Sequence, residues 1–168
     1  SMKILGSGEK QAKTGLASIE LDVEGKTATI TLNAKDYKWS DGQPFTIDDY
    51  IFAIEAIGNK DYTGSRYNDR YTNIVGMKDF HEGKSDKISG VEKVDDYTVK
   101  LHFEKMLPSM QLAGGAIPAY TMPKHIFKDI PVKEWEQSEY VRGSKVVGLG
   151  PFTIESVIAY WWRTYSFI

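Results

Sequence analysis

Three histidines, two aspartate doublets and a tyrosine-rich polar stretch are the residues of this chain whose types suit chemistry or recognition. His81, His102 and His125 are far apart, and none has the i, i+4 or paired-ligand spacing that marks a zinc site. No metal is therefore expected. His102 alternates with Lys100 on the polar face of a strand-like run, and His81 and His125 likewise read as surface residues. The doublets Asp48-Asp49 and Asp95-Asp96 suit a helix start and a turn better than an acid–base couple, which needs two carboxyl groups pushed apart in pKa within one cleft. Gly148-Leu149-Gly150 is followed by Pro151 rather than by a helix, which argues against a dinucleotide site. The chain has no cysteine, which removes thiolate ligands, disulfides and a cysteine nucleophile together. These residues make no case for an enzyme, and they imply no cofactor.

Recognition is the better use of what remains. Residues 62–71 are polar, rich in tyrosine and without helical or strand periodicity, and they include Arg66, Tyr67 and Tyr71. Such a stretch is either a decorated surface loop or the edge of a ligand cleft, since tyrosine combines apolar area with a polar tip. The 21 basic and 23 acidic side chains leave a formal charge of −2, so no basic field exists to hold nucleic acid. No apolar run approaches the roughly 20 residues of a membrane span.

The elements that must position these residues are readable in part. Ile19, Leu21 and Val23 alternate with polar neighbours, and after Glu24-Gly25-Lys26 so do Ala28, Ile30 and Leu32, which predicts a β-hairpin with one buried face. A second hairpin is expected over 90–94 and 97–103 around Asp95-Asp96, with Tyr97, Val99, Leu101 and Phe103 sharing a face. Between the hairpins, Thr46 and Asp49 form an acidic capping box for a helix whose apolar positions are Ile47, Ile51, Ile54 and Ile57. Gly58 is expected to close it in the left-handed conformation. Shorter helices are expected over 75–82, 108–112 (stopped by Gly114-Gly115), 124–128 and 132–137, and a last strand over 152–158. Hairpins interspersed with helices, without regular strand–helix alternation, indicate an α+β fold with a largely antiparallel sheet.

The string Tyr37-Lys38-Trp39-Ser40-Asp41-Gly42-Gln43-Pro44-Phe45-Thr46-Ile47-Asp48-Asp49 is the most informative in the chain. Each residue has a structural use, with Gly42 and Asp41 for a turn and Thr46 and Asp49 for a cap. Its order nevertheless resembles the signature of the family 5 solute-binding proteins of ABC transporters, which bind oligopeptides, dipeptides and nickel. Further similarities follow in order: Gly90 with Val91-Glu92-Lys93-Val94-Asp95-Asp96-Tyr97, then Met106-Leu107-Pro108, Pro118, Met122-Pro123-Lys124-His125 and Gly148-Leu149-Gly150-Pro151-Phe152. Nothing in the residues favours the nickel binders of that family.

The resemblance implies a periplasmic-binding-protein-like class II subdomain over residues 16–158, inserted into the first of two lobes. Residues 1–15 are then a leading segment, in which Ser1 before Met2 resembles an expression scar, and the aromatic stretch 159–168 fits no element of the family. The motif residues Trp39, Ser40, Asp41, Gly42, Pro44, Thr46, Asp49, Gly148, Gly150 and Pro151 are expected to be structural. Tyr67 is the nearest match to a family tyrosine that approaches the ligand, with Arg66 and Tyr71 beside it. The implied function is capture of peptides by an extracellular or periplasmic protein, membrane-anchored in its complete form, for delivery to an ABC permease. The chain would supply scaffold and one wall of the cleft. A free-standing protein-interaction domain with the same fold and no transport role is the alternative.

Overall fold

The computed structural model describes residues 4–5, 17–111, 117–118 and 120–137. The expected stop at Gly114-Gly115, the Gly148-x-Gly150-Pro151 element, the strand over 152–158 and the stretch 159–168 lie outside the described residues, as does most of the leading segment.

Both hairpins form. Strand β2 (Ala17–Asp22) runs antiparallel to β3 (Thr27–Leu32), with Ala17 opposite Leu32. The left-handed residue of their turn is Lys26 (φ 54°), not Gly25, whose N–H donates to the Asp22 carboxylate at 2.9 Å. Strand β4 (Val91–Asp95) pairs with β5 (Thr98–His102), shorter than the expected run because Asp95 takes the Tyr97 N–H at 2.8 Å and holds Tyr97 in the turn. The two hairpins then join through β3 and β5, antiparallel, with Thr27 opposite His102. A two-residue strand, β1 (Ile4–Leu5), lies parallel to β2 and completes the order β1-β2-β3-β5-β4. The result is the expected α+β class.

Alternation places Ala17, Ile19, Ala28, Ile30, Leu32, Val99 and Leu101 on the buried face of the sheet. Helix α1 (Ile47–Gly58) contributes Ile47, Tyr50, Ile54 and Ile57 to the same core. Each fully buried apolar side chain of this size is worth about 1.5–3 kcal/mol relative to exposure. The outer strand β4 is mostly exposed and carries Glu92 and Lys93, charges that discourage pairing with a further strand. A second face of α1 is buried as well. Ala56, with Phe52 beside it, packs on Phe127 of α5 (Lys124–Phe127) and on Trp135 of the 3-10 helix Val132–Gln137. Phe127 and Trp135 meet edge to face at 5.4 Å, and Trp135 Nε1 donates to the Ile130 carbonyl at 2.7 Å. The isoleucine spacing of α1 announces only the sheet-facing stripe.

Gly58 departs from expectation. It is the last helical residue and has no positive φ; the chain leaves through Asn59 in an extended conformation. What the position requires is smallness. A Cβ there would stand 2.5 Å from Met77 Sδ and 3.3 Å from Phe80, both on helix α3 (Met77–His81). Residues 62–71 also hold more structure than expected, because Asn68 accepts the Arg70 N–H at 3.1 Å and caps a one-turn helix, α2 (Asp69–Thr72). Helix α4 (Pro108–Gln111) opens on Pro108 as predicted.

Where α3 meets β5, three backbone segments close a ring of hydrogen bonds. Gly90 N–H donates to Val75 O (2.8 Å), Val75 N–H to His102 O (3.0 Å) and His102 N–H to Gly90 O (2.8 Å). This ring seats residues 74–77, and with them α3, against the sheet.

Candidate ligand-facing surface and the signature clamp

The signature string folds into a small turn followed by α1. Trp39 N–H donates to Gln43 O at 2.8 Å, Gly42 N–H to Trp39 O at 2.9 Å, and Gly42 takes the positive φ (84°) that such a turn needs. Asp41 accepts the Gln43 N–H at 3.1 Å. Trp39 and Phe45 pack edge to face at 5.5 Å beneath it.

Asp49 is the centre of this region. Its side chain is nearly shut off from solvent, with 4% of the residue exposed. One carboxylate oxygen accepts Trp39 Nε1–H and the Thr46 N–H, each at 3.1 Å, which closes the capping box from its acidic side. The other accepts the Lys124 N–H at 2.9 Å, and the Asp49 carbonyl accepts the Met122 N–H at 3.2 Å. A buried charge is tolerable when several donors converge on it. One carboxylate thus ties the signature turn, the start of α1 and the Met122-Pro123-Lys124 segment together. The Asp-Asp turn of the second hairpin docks on the same helix start. Asp96 O accepts the Ile47 N–H at 2.9 Å, and Lys93 Nζ bridges Asp48 (2.9 Å) and Asp96 (3.0 Å).

A second tie joins the same segments, since His125 Nε2 lies 2.6 Å from Asp41 Oδ2. Partial burial would raise the Asp41 pKa, but the hydrogen bonds from His125 and from the Gln43 N–H outweigh it, and the net shift is downward from 3.8. A carboxyl whose folded value is depressed contributes stability above its unfolded value and loses it as pH falls through the folded value. As pH falls below about 4, the intact chain should therefore lose stability more steeply than Asp41→Asn. Urea midpoints measured across that range check this, and parallel curves would count against it.

The candidate cleft residues Arg66, Tyr67 and Tyr71 have different surroundings. The Arg66 guanidinium lies 4.4 Å from the centre of the Tyr120 ring. Tyr67 stacks on His81 with ring centres 3.9 Å apart and planes at 18°. Burial and then the nearby Glu82 raise the Tyr67 phenol's pKa. Tyr71 is different, being a core side chain with 1% exposure. Burial raises its pKa strongly, with Tyr120, Arg66 and Tyr62 as its electrical neighbours. Such a ring inside the core is placed to support Arg66 and Tyr120 rather than to present its own face to solvent.

The three histidines do not converge. His81 Nδ1 lies 3.0 Å from Gly58 O, His102 Nε2 lies 2.8 Å from Glu92, and His125 is held by Asp41. His81 is half-buried rather than a plain surface residue, because α3 packs it against the end of α1. Among the described residues no three His, Cys, Asp or Glu side chains gather as a metal site would need, and no helix is long and apolar enough to cross a membrane. Lys124, His125 and His81 were not singled out as partners from sequence. Their contacts lie up to 84 residues away, and no local spacing signals them.

A sequence profile described as "Bacterial extracellular solute-binding proteins, family 5 Middle" matches residues 11–162. The chain belongs to this family. The oligopeptide-binding protein OppA of Lactococcus lactis subsp. cremoris is 41% identical over 157 residues, which are 91% of this chain and 26% of that protein. Among solved structures, lactococcal OppA complexed with an endogenous peptide in the closed conformation superimposes with a TM-score of 0.76 at 40% identity, covering 84% of this chain and 27% of that one. The oligopeptide-binding protein AppA from Bacillus subtilis, in complex with a nonapeptide, gives 0.61 at 28% identity over 82% of this chain and 24% of that one. The chain thus spans about a quarter of the length of these relatives. The family signature and the Asp-Asp turn named from sequence are, in this member, the parts that clamp α1.

Proposed function

We propose that the chain is one subdomain of the first lobe of a peptide-capturing solute-binding protein, contributing scaffold and one wall of the ligand cleft. The observation that carries this reading is the superposition on a peptide-bound, closed relative, at 40% identity, along most of this chain. In this reading the complete protein closes two lobes on an extended peptide, outside the cell and tethered to the membrane, and delivers it to an ABC permease. It needs no catalytic group and no metal. The clamp around Asp49 gives the wall its rigidity. Tyr67 and Arg66 present aromatic and cationic groups to a peptide whose own backbone supplies most of the hydrogen bonds.

The test is Tyr67→Ala in the complete protein that carries this chain, with peptide affinity measured by calorimetry. Loss of one aromatic wall contact should weaken binding by about tenfold, equivalent to about 1.4 kcal/mol. Unchanged affinity would remove Tyr67 from the cleft.

A further inference from the structure

We infer that His81 is a positioning residue for Tyr67 and makes the pose of that wall residue sensitive to pH, an inference that rests on the cleft reading above. The argument begins at Gly58. Because this position lacks a side chain, Met77 and Phe80 pack directly on the last turn of α1. That close approach brings His81, at the end of α3, within 3.0 Å of the Gly58 carbonyl. This carbonyl is one of the four at a helix end that have no partner within the helix. A carbonyl oxygen only accepts, so His81 Nδ1 carries the proton and the neutral ring keeps its lone pair on Nε2. The imidazole is thereby fixed in plane and tautomer, and Tyr67 lies against its face at 3.9 Å. A loop residue is thus oriented by a ring locked to two helices.

The same site suits a cation. The last turn of α1 has no basic residue of its own, so the negative end of its dipole is open to a charge supplied by α3. Glu82 is adjacent to His81, paired in turn with Lys84 and in reach of the charge of Lys78; Lys60, just after α1, lies beside Gly83, and the loop presents the Tyr67 ring to the imidazole. Protonation of His81 places a cation on the phenol face and strengthens the stack. Loss of that charge loosens Tyr67 without breaking the Nδ1–H hydrogen bond.

The experiment measures affinity for a randomised nonapeptide pool at pH 5.5 and pH 8.0, using the complete protein in its natural form and as Tyr67→Ala, His81→Phe and His81→Gln. The natural protein should bind about two- to fivefold more tightly at pH 5.5. His81→Phe, which keeps a ring but cannot titrate, should lose this difference. His81→Gln, which keeps a donor for Gly58 but has no ring, should weaken binding in the direction of Tyr67→Ala. The same pH dependence in natural protein and His81→Phe would overturn the inference. A second readout needs no variant: the ring carbon resonances of Tyr67 should shift between pH 5 and 8, and static resonances would also overturn it. If Tyr67→Ala binds the pool as the natural protein does, while the Tyr67 resonances still titrate, the cleft reading fails and the coupling of the two rings stands.

Discussion

Asp49→Ala is expected to cost about 3 kcal/mol or more of unfolding free energy, because each buried donor left without a partner costs about 1–3 kcal/mol. Three donors converge on this carboxylate: the indole of Trp39, the Thr46 amide and the Lys124 amide. Alanine removes their common acceptor in a place almost closed to water. Asp49→Asn should be milder, since it keeps one acceptor oxygen but turns an amide N–H₂ toward at least one donor. Urea unfolding provides the measurement, and a midpoint that falls with an unchanged slope identifies a pure stability loss. A loss under about 1 kcal/mol would mean that the three segments hold together without the clamp. A double-mutant cycle with Trp39→Phe isolates the share carried by the indole bond.

Gly90→Ala should cost about 3 kcal/mol, the upper part of the range for overpacking a tight site. A Cβ at this position would stand 2.7 Å from Val75 O, 2.8 Å from His102 O and 2.9 Å from Val75 N. All three are backbone atoms, and both carbonyls already accept hydrogen bonds in the ring that seats α3. No side chain can rotate away, so a backbone segment has to move and at least one bond of the ring lengthens. Gly25→Ala is the contrast. The atoms its Cβ would meet belong to the flexible, exposed side chain of Asp22, and that variant should fold with a smaller loss. Thermal unfolding of the two variants side by side tests the comparison, and equal losses would refute the steric account of Gly90.

Local periodicity made the two hairpins and α1 legible, because β2, β3 and β5 each present apolar residues to one face and Thr46 with Asp49 marks a helix start within four residues. The family was legible for a related reason. Its signature is a contiguous string whose turn and cap chemistry leaves little freedom of residue choice. The strand order was not, because the pairing of β3 with β5 brings together residues 67 to 75 apart and leaves no trace in either run. The role of Gly58 was misread for the same reason. Near a helix end, glycine suggests a left-handed cap, and only the position of Met77 shows that space was the requirement. At the candidate surface, Tyr67 and Arg66 stand out by type. Nothing in the sequence separates them from Tyr71, whose burial depends on how α2 turns it toward Ile74 and the sheet.

The central pairing of β3 with β5 also sets a timetable for the growing chain. After Leu32 is made, about 70 residues must follow before β5 is complete, which at about 5–20 residues per second is about 4–14 s. Through that interval one edge of β3 has its N–H and C=O groups unpaired, beside a hairpin whose apolar face already carries Ile19, Ala28 and Ile30. A nascent chain in this condition is open to mispairing with its neighbours. Arrival of the second hairpin both pairs that open edge of β3 and caps α1 through Asp96, so β5, the last of the described strands to be made, lies inside the sheet rather than at its edge.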